Sequence, residues 1–312
     1  MLNINNKREA TLFWGFTCRE FNTYYPLPND YKETKQIIYD ILLDKHDSED
    51  SLSNTINSLN SICSLYHLND NDISWFKQNN ERLINWIWFT IYNSRDLYTL
   101  YKNLNEILNK NNRYAIKIEG IENSENSSRD NIIIKFKLNE KPFSIKEKID
   151  EIIKFIDLID INSDTKKELI TQFKTVWEII ESFDNFKWLD KQNIDLTNWA
   201  YVYFSKYIKQ KSTFPTVQKD IYINDNYYKF IAEFDLWDTS PESKELFLYK
   251  IRKSAAQKKF RTKQVGKKQC SFNLSQKSIN QLALLAELQG VPKNHILESL
   301  INNKILELGV KQ

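Results

Sequence analysis

Gln269-Cys-Ser-Phe-Asn-Leu-Ser-Gln-Lys-Ser-Ile-Asn-Gln-Leu-Ala-Leu-Leu-Ala-Glu-Leu-Gln-Gly290 changes its hydrophobic period partway along. From Gln269 to Leu274 apolar and polar residues alternate, with Cys270, Phe272 and Leu274 on one side and Gln269, Ser271 and Asn273 on the other. That alternation predicts a short strand. Ser275 is then a good N-cap for a helix carrying Ile279, Leu282, Leu285, Ala286 and Leu288, and Gly290 suits the left-handed residue that ends it. After Val291-Pro292 a second helix places Ile296, Leu297, Leu300, Ile301, Ile305 and Leu308 inward. One strand this short, with a single apolar face, cannot form a sheet alone. Pairing with a second copy across a two-fold axis would give a two-stranded antiparallel ribbon. Its outer face, Gln269, Ser271 and Asn273, suits a major groove, where Asn and Gln pair with adenine edges.

Charge marks out the same end of the chain. Between Leu246 and Ala286 stand ten Lys or Arg and no Asp or Glu: Lys250, Arg252, Lys253, Lys258, Lys259, Arg261, Lys263, Lys267, Lys268 and Lys277. The acids and bases beyond Ala286 cancel, so residues 246–312 carry +10, and a whole-chain charge of +3 leaves −7 for residues 1–245. A lysine run is ordinarily a solvated helix face. Forty-one residues without one acid form a one-signed surface instead, and such a surface attracts a polyanion, most simply nucleic acid.

Ser240-Pro241-Glu242 begins a helix, with a Ser cap, Pro at the first position and an acid in the first turn. It is expected to run to about Arg261, its later turns basic. Residues 240–308 resemble the ribbon-helix-helix DNA-binding family, and within it the chromosome-organising MatP-type branch. The likeness rests on Ser271-Phe-Asn-Leu274, on Leu282-Ala-Leu-Leu-Ala286 with Gly290, on Leu297, Leu300 and Ile301, and on the basic helix Ile251-Arg252…Lys258-Lys259-Phe260-Arg261. It implies base reading by Gln269, Ser271 and Asn273. Charge and nearness to the strand, with the free amides of the second helix's start, point to phosphate contacts from Lys258, Lys259, Arg261, Lys263, Lys267, Lys268, Lys293 and Asn294. The dimer ribbon and core would be Cys270, Phe272, Leu274, Leu282, Leu285, Leu297, Leu300 and Ile301. Where the family caps its second helix with Ser or Thr and an acid, this chain has Pro292 and His295.

The body reads as mainly α with a small β-hairpin. Helical spacing covers Tyr31–Lys45, Leu52–Tyr66, Ile73–Tyr92, Leu97–Leu108, Ser144–Ile159, Asp164–Phe183 and Asp195–Lys209. Tyr114–Glu119 and Ile132–Leu138 read as the two strands of the hairpin, joined by the polar loop Glu122–Asp130. Asp220–Trp237 fits either a hairpin or a helix. No internal repeat is evident. These readings divide the chain into a helical region 1–110, an α-rich region 111–239 and a DNA-binding region 240–312.

Much is excluded. The chain has no GxGxxG and no GxxxxGK[ST], its three histidines are scattered, and Cys18, Cys63 and Cys270 form no CxxC. No cofactor or metal is expected, and unpaired cysteines suit a reducing compartment. The opening Met1–Ala10 is polar and the most apolar stretch, Ile84–Tyr92, is far short of the about 20 residues of a membrane span. Acid pairs such as Glu178/Glu181 and Asp235/Asp238 have no distinguishing context, so no catalytic site is assigned. The expectation is a cytoplasmic, nucleoid-associated homodimer that binds double-stranded DNA sequence-specifically, as a transcriptional regulator or DNA organiser. Its acidic body would supply architecture, oligomerisation or a protein partner's docking site, and no membrane is involved. The alternative is an enzyme or effector, for example a nuclease, with a DNA-anchoring tail.

Overall fold

In a computed structural model the chain divides into two compact units, Met1–Ala256 and Gln257–Gln312. The structure describes residues 1–22, 28, 30–78, 80–115, 131–183, 186–211, 226–263 and 270–309.

Every regular element described in the first unit is helical, the 3-10 turn Ser74–Lys77 included. Its helices are α1 (Lys7–Glu20), α2 (Tyr31–Lys45), α3 (Glu49–Tyr66), α4 (Asp70–Ile73), α5 (Glu81–Asn93), α6 (Leu97–Lys110), α7 (Ile132–Lys135), α8 (Ile145–Leu158), α9 (Ser163–Phe183), α10 (Ile194–Lys211), α11 (Asn226–Asp235) and the start of α12 (Pro241–Lys263). Local chemistry fixes many of the starts. Asp30, Ser48, Asn80, Asp96 and Ser144 each accept a hydrogen bond from a backbone N–H in the first turn of the helix that follows. Three apolar clusters hold the helices together. Leu12, Phe13, Ile38, Leu42, Ile56 and Leu59 join α1–α3. Trp86, Trp88, Leu104, Phe155, Phe173 and Trp177 centre the largest cluster. Phe204, Phe230, Phe234 and Phe247 make an aromatic core for α10–α12, Phe204 meeting Phe230 and Phe247 edge-on and Phe234 tilted against all three.

Helix α1 packs on α2, α3 and α8, and α5 packs on α8 and α11, so α1, α8, α5 and α11 follow one another as neighbours. The α1–α8 approach depends on Gly15, where a Cβ would come within 2.6 Å of the Leu158 side chain. A buried ion pair closes the same junction. Arg8, second residue of α1, donates from Nε and Nη2 to the two carboxylate oxygens of Asp157, at 3.0 and 2.7 Å. Lys166, nine residues on, donates to the Asp157 backbone carbonyl at 2.8 Å and to that of Tyr66 at 3.0 Å.

This arrangement occurs twice. Arg82, second residue of α5, grips Asp235 with the same two nitrogens at 2.8 and 2.7 Å. Nine residues later Lys244 donates to the Asp235 carbonyl at 3.2 Å. Both arginines follow an asparagine N-cap, Asn6 and Asn80. Both lysines follow a capped start, where Asn162 accepts from Thr165 N–H and Ser240 from Ser243 N–H. The sequences align without a gap, Asp157-Leu-Ile-Asp160…Lys166 upon Asp235-Leu-Trp-Asp238…Lys244. A repeat is therefore present, with its halves interleaved along the chain: two arginine helices come first, then two aspartate–lysine hairpins. Asp157, Lys166, Asp235 and Lys244 are all buried. Burial pushes the ammonium groups of Lys166 and Lys244 down to about 8, against the pull of the neighbouring aspartates.

Two expectations fail. No β-strand occurs among the described residues. The stretch Ile132–Leu138 is a helical turn: Asn131 accepts from the Ile133 N–H, Lys137 turns left-handed at φ 48°, and the Leu138 N–H returns to the Ile133 carbonyl. Neighbours Ile132 and Ile133 are both buried, which a strand's alternation would forbid when one face is solvated. Tyr114 is 97% exposed, and residues 116–130, the remainder of the expected first strand and the loop after it, lie outside the described residues. The ribbon fails likewise. Residues 270–275 have no regular structure, and Cys270, Ser271, Phe272, Asn273 and Leu274 are all exposed. Alternation marks which residues could share a face, but a strand also needs a hydrogen-bonded neighbour, and no described segment supplies one. The fold is all-helical where it is described, without hairpin or swapped ribbon. The ambiguous Asp220–Trp237 segment resolves, over its described part, as helix α11.

The second unit contains α13 (Gln276–Gln289) and α14 (Lys293–Glu307), packed on each other. Ser275 Oγ accepts from Ser278 N–H, and Gly290 ends α13 at φ 64°, both as the sequence implies.

Candidate nucleic-acid interface

Helix α12 carries most of the described cations of the acid-free run. On the first unit's share of it, Lys250, Arg252 and Lys253 are exposed, and Lys250 lies over the Tyr207 ring at 5.8 Å. The inward face, Phe247, Leu248, Ile251 and Ala255, is buried in the aromatic core, so packing turns these cations to the solvent side. In the second unit Lys259 and Arg261 are exposed and Lys258 is half-buried. Lys263 ends the helix; Lys267, Lys268 and Gln269 lie outside the described residues.

Ser271 and Asn273 project from the irregular stretch before α13 and are exposed. Lys293 and Asn294 form the first turn of α14 and are exposed too. The N-cap there is Pro292, whose side chain makes no cap hydrogen bond to the first turn. The expected contact residues thus fall on three elements: the end of α12, the 270–275 stretch and the start of α14.

The expected dimer core is incomplete within one chain. Ile296 is buried, while Leu282 and Leu297 are half-buried and Leu285, Leu300 and Ile301 are exposed. Ile279, Leu284, Leu288, Leu306 and Leu308 are exposed as well. Cys270 is an exposed free thiol, whereas burial pushes the Cys63 thiol up to about 12.

Sequence reasoning missed the buried polar groups of the body. Asp235 looked like one acid among many but lies under Arg82 and Lys244, and Lys148 donates to Asn85 at 2.7 Å inside the largest cluster. The signal that could have exposed the first of these is the Asp-Leu-x-Asp…Lys correspondence described above. Among the described residues, no group of three or more His, Cys, Asp or Glu side chains is placed to hold a metal ion, and no helix is long and apolar enough to cross a membrane. Compared with known protein families, curated proteins and solved structures, the chain matches none.

Proposed function

We propose that the protein binds double-stranded DNA sequence-specifically as a homodimer and acts in transcriptional regulation or DNA organisation. The observation that carries this reading is the forty-one-residue run with ten cations and no acid, on a chain whose preceding 245 residues carry −7. Such asymmetry has no use in folding and a direct one in phosphate neutralisation. Exposure of Arg252, Lys253, Lys259 and Arg261 supports it, as does the uncapped start of α14 at Lys293 and Asn294. Of the ribbon-helix-helix likeness, what carries forward is the helix–glycine–helix pair and the exposed Ser271 and Asn273. Asn273 is assigned the base contact, with Ser271 beside it, and the lysines hold phosphates. The uncovered leucines and isoleucines of α13 and α14 support self-association, since two helices alone cannot enclose them.

The test is binding-site selection followed by titration of the full chain against selected and random duplexes over a salt series. A preferred site, bound at least about a thousandfold more tightly than random DNA, is expected. Sedimentation must show a dimer at binding concentrations. Equal affinity for all sequences would leave only non-specific polyanion binding, and no binding at low salt would end the proposal.

A further inference from the structure

The acidic body carries a locally basic stretch on α12. Residues 246–256 of the first unit hold Lys250, Arg252 and Lys253 and no acid, against −7 over residues 1–245. Beside α12 this stretch borders an open groove of about 460 Å³, lined by Phe183, Glu245, Leu248, Tyr249, Arg252 and Lys253. Leu248 and Phe183 give it an apolar floor. Tyr249 stands 64% exposed, and among the described aromatic rings of the unit only Tyr114 and Phe143 are more exposed. Arg252 and Lys253 lie about one helical turn along from Leu248 and Tyr249, roughly 6 Å at 1.5 Å per residue.

We propose that this groove is a second DNA-contacting surface, which seats the sugar–phosphate backbone of the duplex against the body. This rests on the DNA-binding reading above and extends it from the basic tail to a unit otherwise assigned architecture. The argument is complementarity. A nucleic-acid backbone presents anionic phosphates beside apolar sugar faces, and the groove sets two cations, Arg252 and Lys253, beside a ring and an aliphatic floor, its one acid, Glu245, leaving it net positive. The groove is wide open, which suits an extended polymer better than an enclosed small molecule. Phosphate contacts of this kind position a protein without reading sequence, so the surface adds affinity and salt dependence in equal measure on any duplex.

The experiment uses the full chain and fluorescence anisotropy with a random and a selected duplex across a salt series. Arg252→Gln with Lys253→Gln should weaken both duplexes at least tenfold and lower the slope of log K against log salt by about 1.8 per chain, at about 0.9 for each phosphate no longer neutralised. Tyr249→Ala should weaken both duplexes several-fold and Tyr249→Phe should not, because the ring packs against sugar and its hydroxyl is dispensable. Lys32→Gln with Lys146→Gln, two exposed lysines elsewhere in the unit, removes the same charge and should change neither slope nor affinity by more than twofold. Arg252→Lys with Lys253→Arg keeps the charges and should keep the slope, which separates an effect of charge from an effect on folding. If the unaltered protein binds DNA and the Arg252/Lys253 pair behaves like the Lys32/Lys146 pair, this surface is refuted and the tail binds alone. If the unaltered protein binds no DNA, both readings fall.

Discussion

The two units treat burial in opposite ways. The body takes charged groups inside and satisfies them: Arg8 with Asp157 and Lys166, Arg82 with Asp235 and Lys244. The C-terminal unit leaves apolar groups outside, with Leu288 74% and Leu306 77% exposed. A chain that can afford buried ion pairs has ample apolar area around them. A chain that exposes its leucines has too little chain to cover them. The body completes its core from its own helices, whereas on the dimer proposed above the tail would take its cover from a second copy.

The sharpest way to break this comparison is to remove one acid from the body. Asp235→Ala strands the Arg82 guanidinium and deprives Lys244 of its nearby charge, and Asp157→Ala does the same to Arg8 and Lys166. Each substitution should cost about 3–5 kcal/mol in chemical denaturation, the usual loss when half of a buried pair is deleted. A cost under about 1 kcal/mol at both sites would show that these pairs are not what ties the helices.

A gentler test uses pH. Lys166 and Lys244 lie at about 8 in the fold, below their ordinary 10.5. Between those limits the unfolded chain still binds protons that the folded chain has released. These two groups therefore make stability rise with pH across that window, by at most about 1.4 kcal/mol per pH unit for each lysine. Denaturation series from pH 7.5 to 10 should show the rise reduced in Lys166→Met and again in the Lys166→Met/Lys244→Met double variant. An identical slope in all three proteins would contradict the depressed values.

For the tail the comparison predicts the reverse pattern. Leu300→Gln with Ile301→Gln should leave unfolding of the body unchanged and raise the dimer dissociation constant tenfold or more in sedimentation, about 1.4 kcal/mol. A loss of body stability instead would mean that these residues are covered from within the chain. Smallest is Gly290→Ala, expected to cost about 1 kcal/mol. The added methyl meets nothing within 4 Å, so only the left-handed backbone at φ 64° resists it.

Helix positions were largely legible because caps and periodicity agree there. Tyr31–Lys45 emerges with both its ends, set by the Asp30 cap and by Ile38 and Leu42 one turn apart. The failures came where one signal stood alone. Three consecutive isoleucines at Ile132–Ile134 carry high strand propensity, but they occupy a single helical turn pinned by Asn131. Six alternating residues, Gln269–Leu274, could name a face but not provide a neighbour for their backbone. On the candidate site, sequence located the basic run and the helix–glycine–helix order. It could not show that Phe183, distant in the chain, borders a groove with Tyr249 and Lys253, because that adjacency exists only once α9 and α12 belong to the same unit. The repeat escaped because its matching positions are few and its halves are interleaved.

That interleaving has a cost in time. Arg8 and Asp157 are 149 residues apart, and Arg82 and Asp235 are 153 apart. On a ribosome working at about 5–20 residues per second, α1 waits roughly 7–30 s for α8 to be synthesised. Throughout that interval Arg8 has no Asp157 to grip and the α8-facing side of α1 has no cover. Helix α5 meets the same delay with α11. The α1–α3 cluster can pack behind the growing end of the chain, but the two ion-paired junctions must wait for residues 157 and 235. These junctions close late and in turn, after Asp157 and then after Asp235, and a translational pause before residue 157 would prolong the exposure of α1 more than a pause anywhere after it.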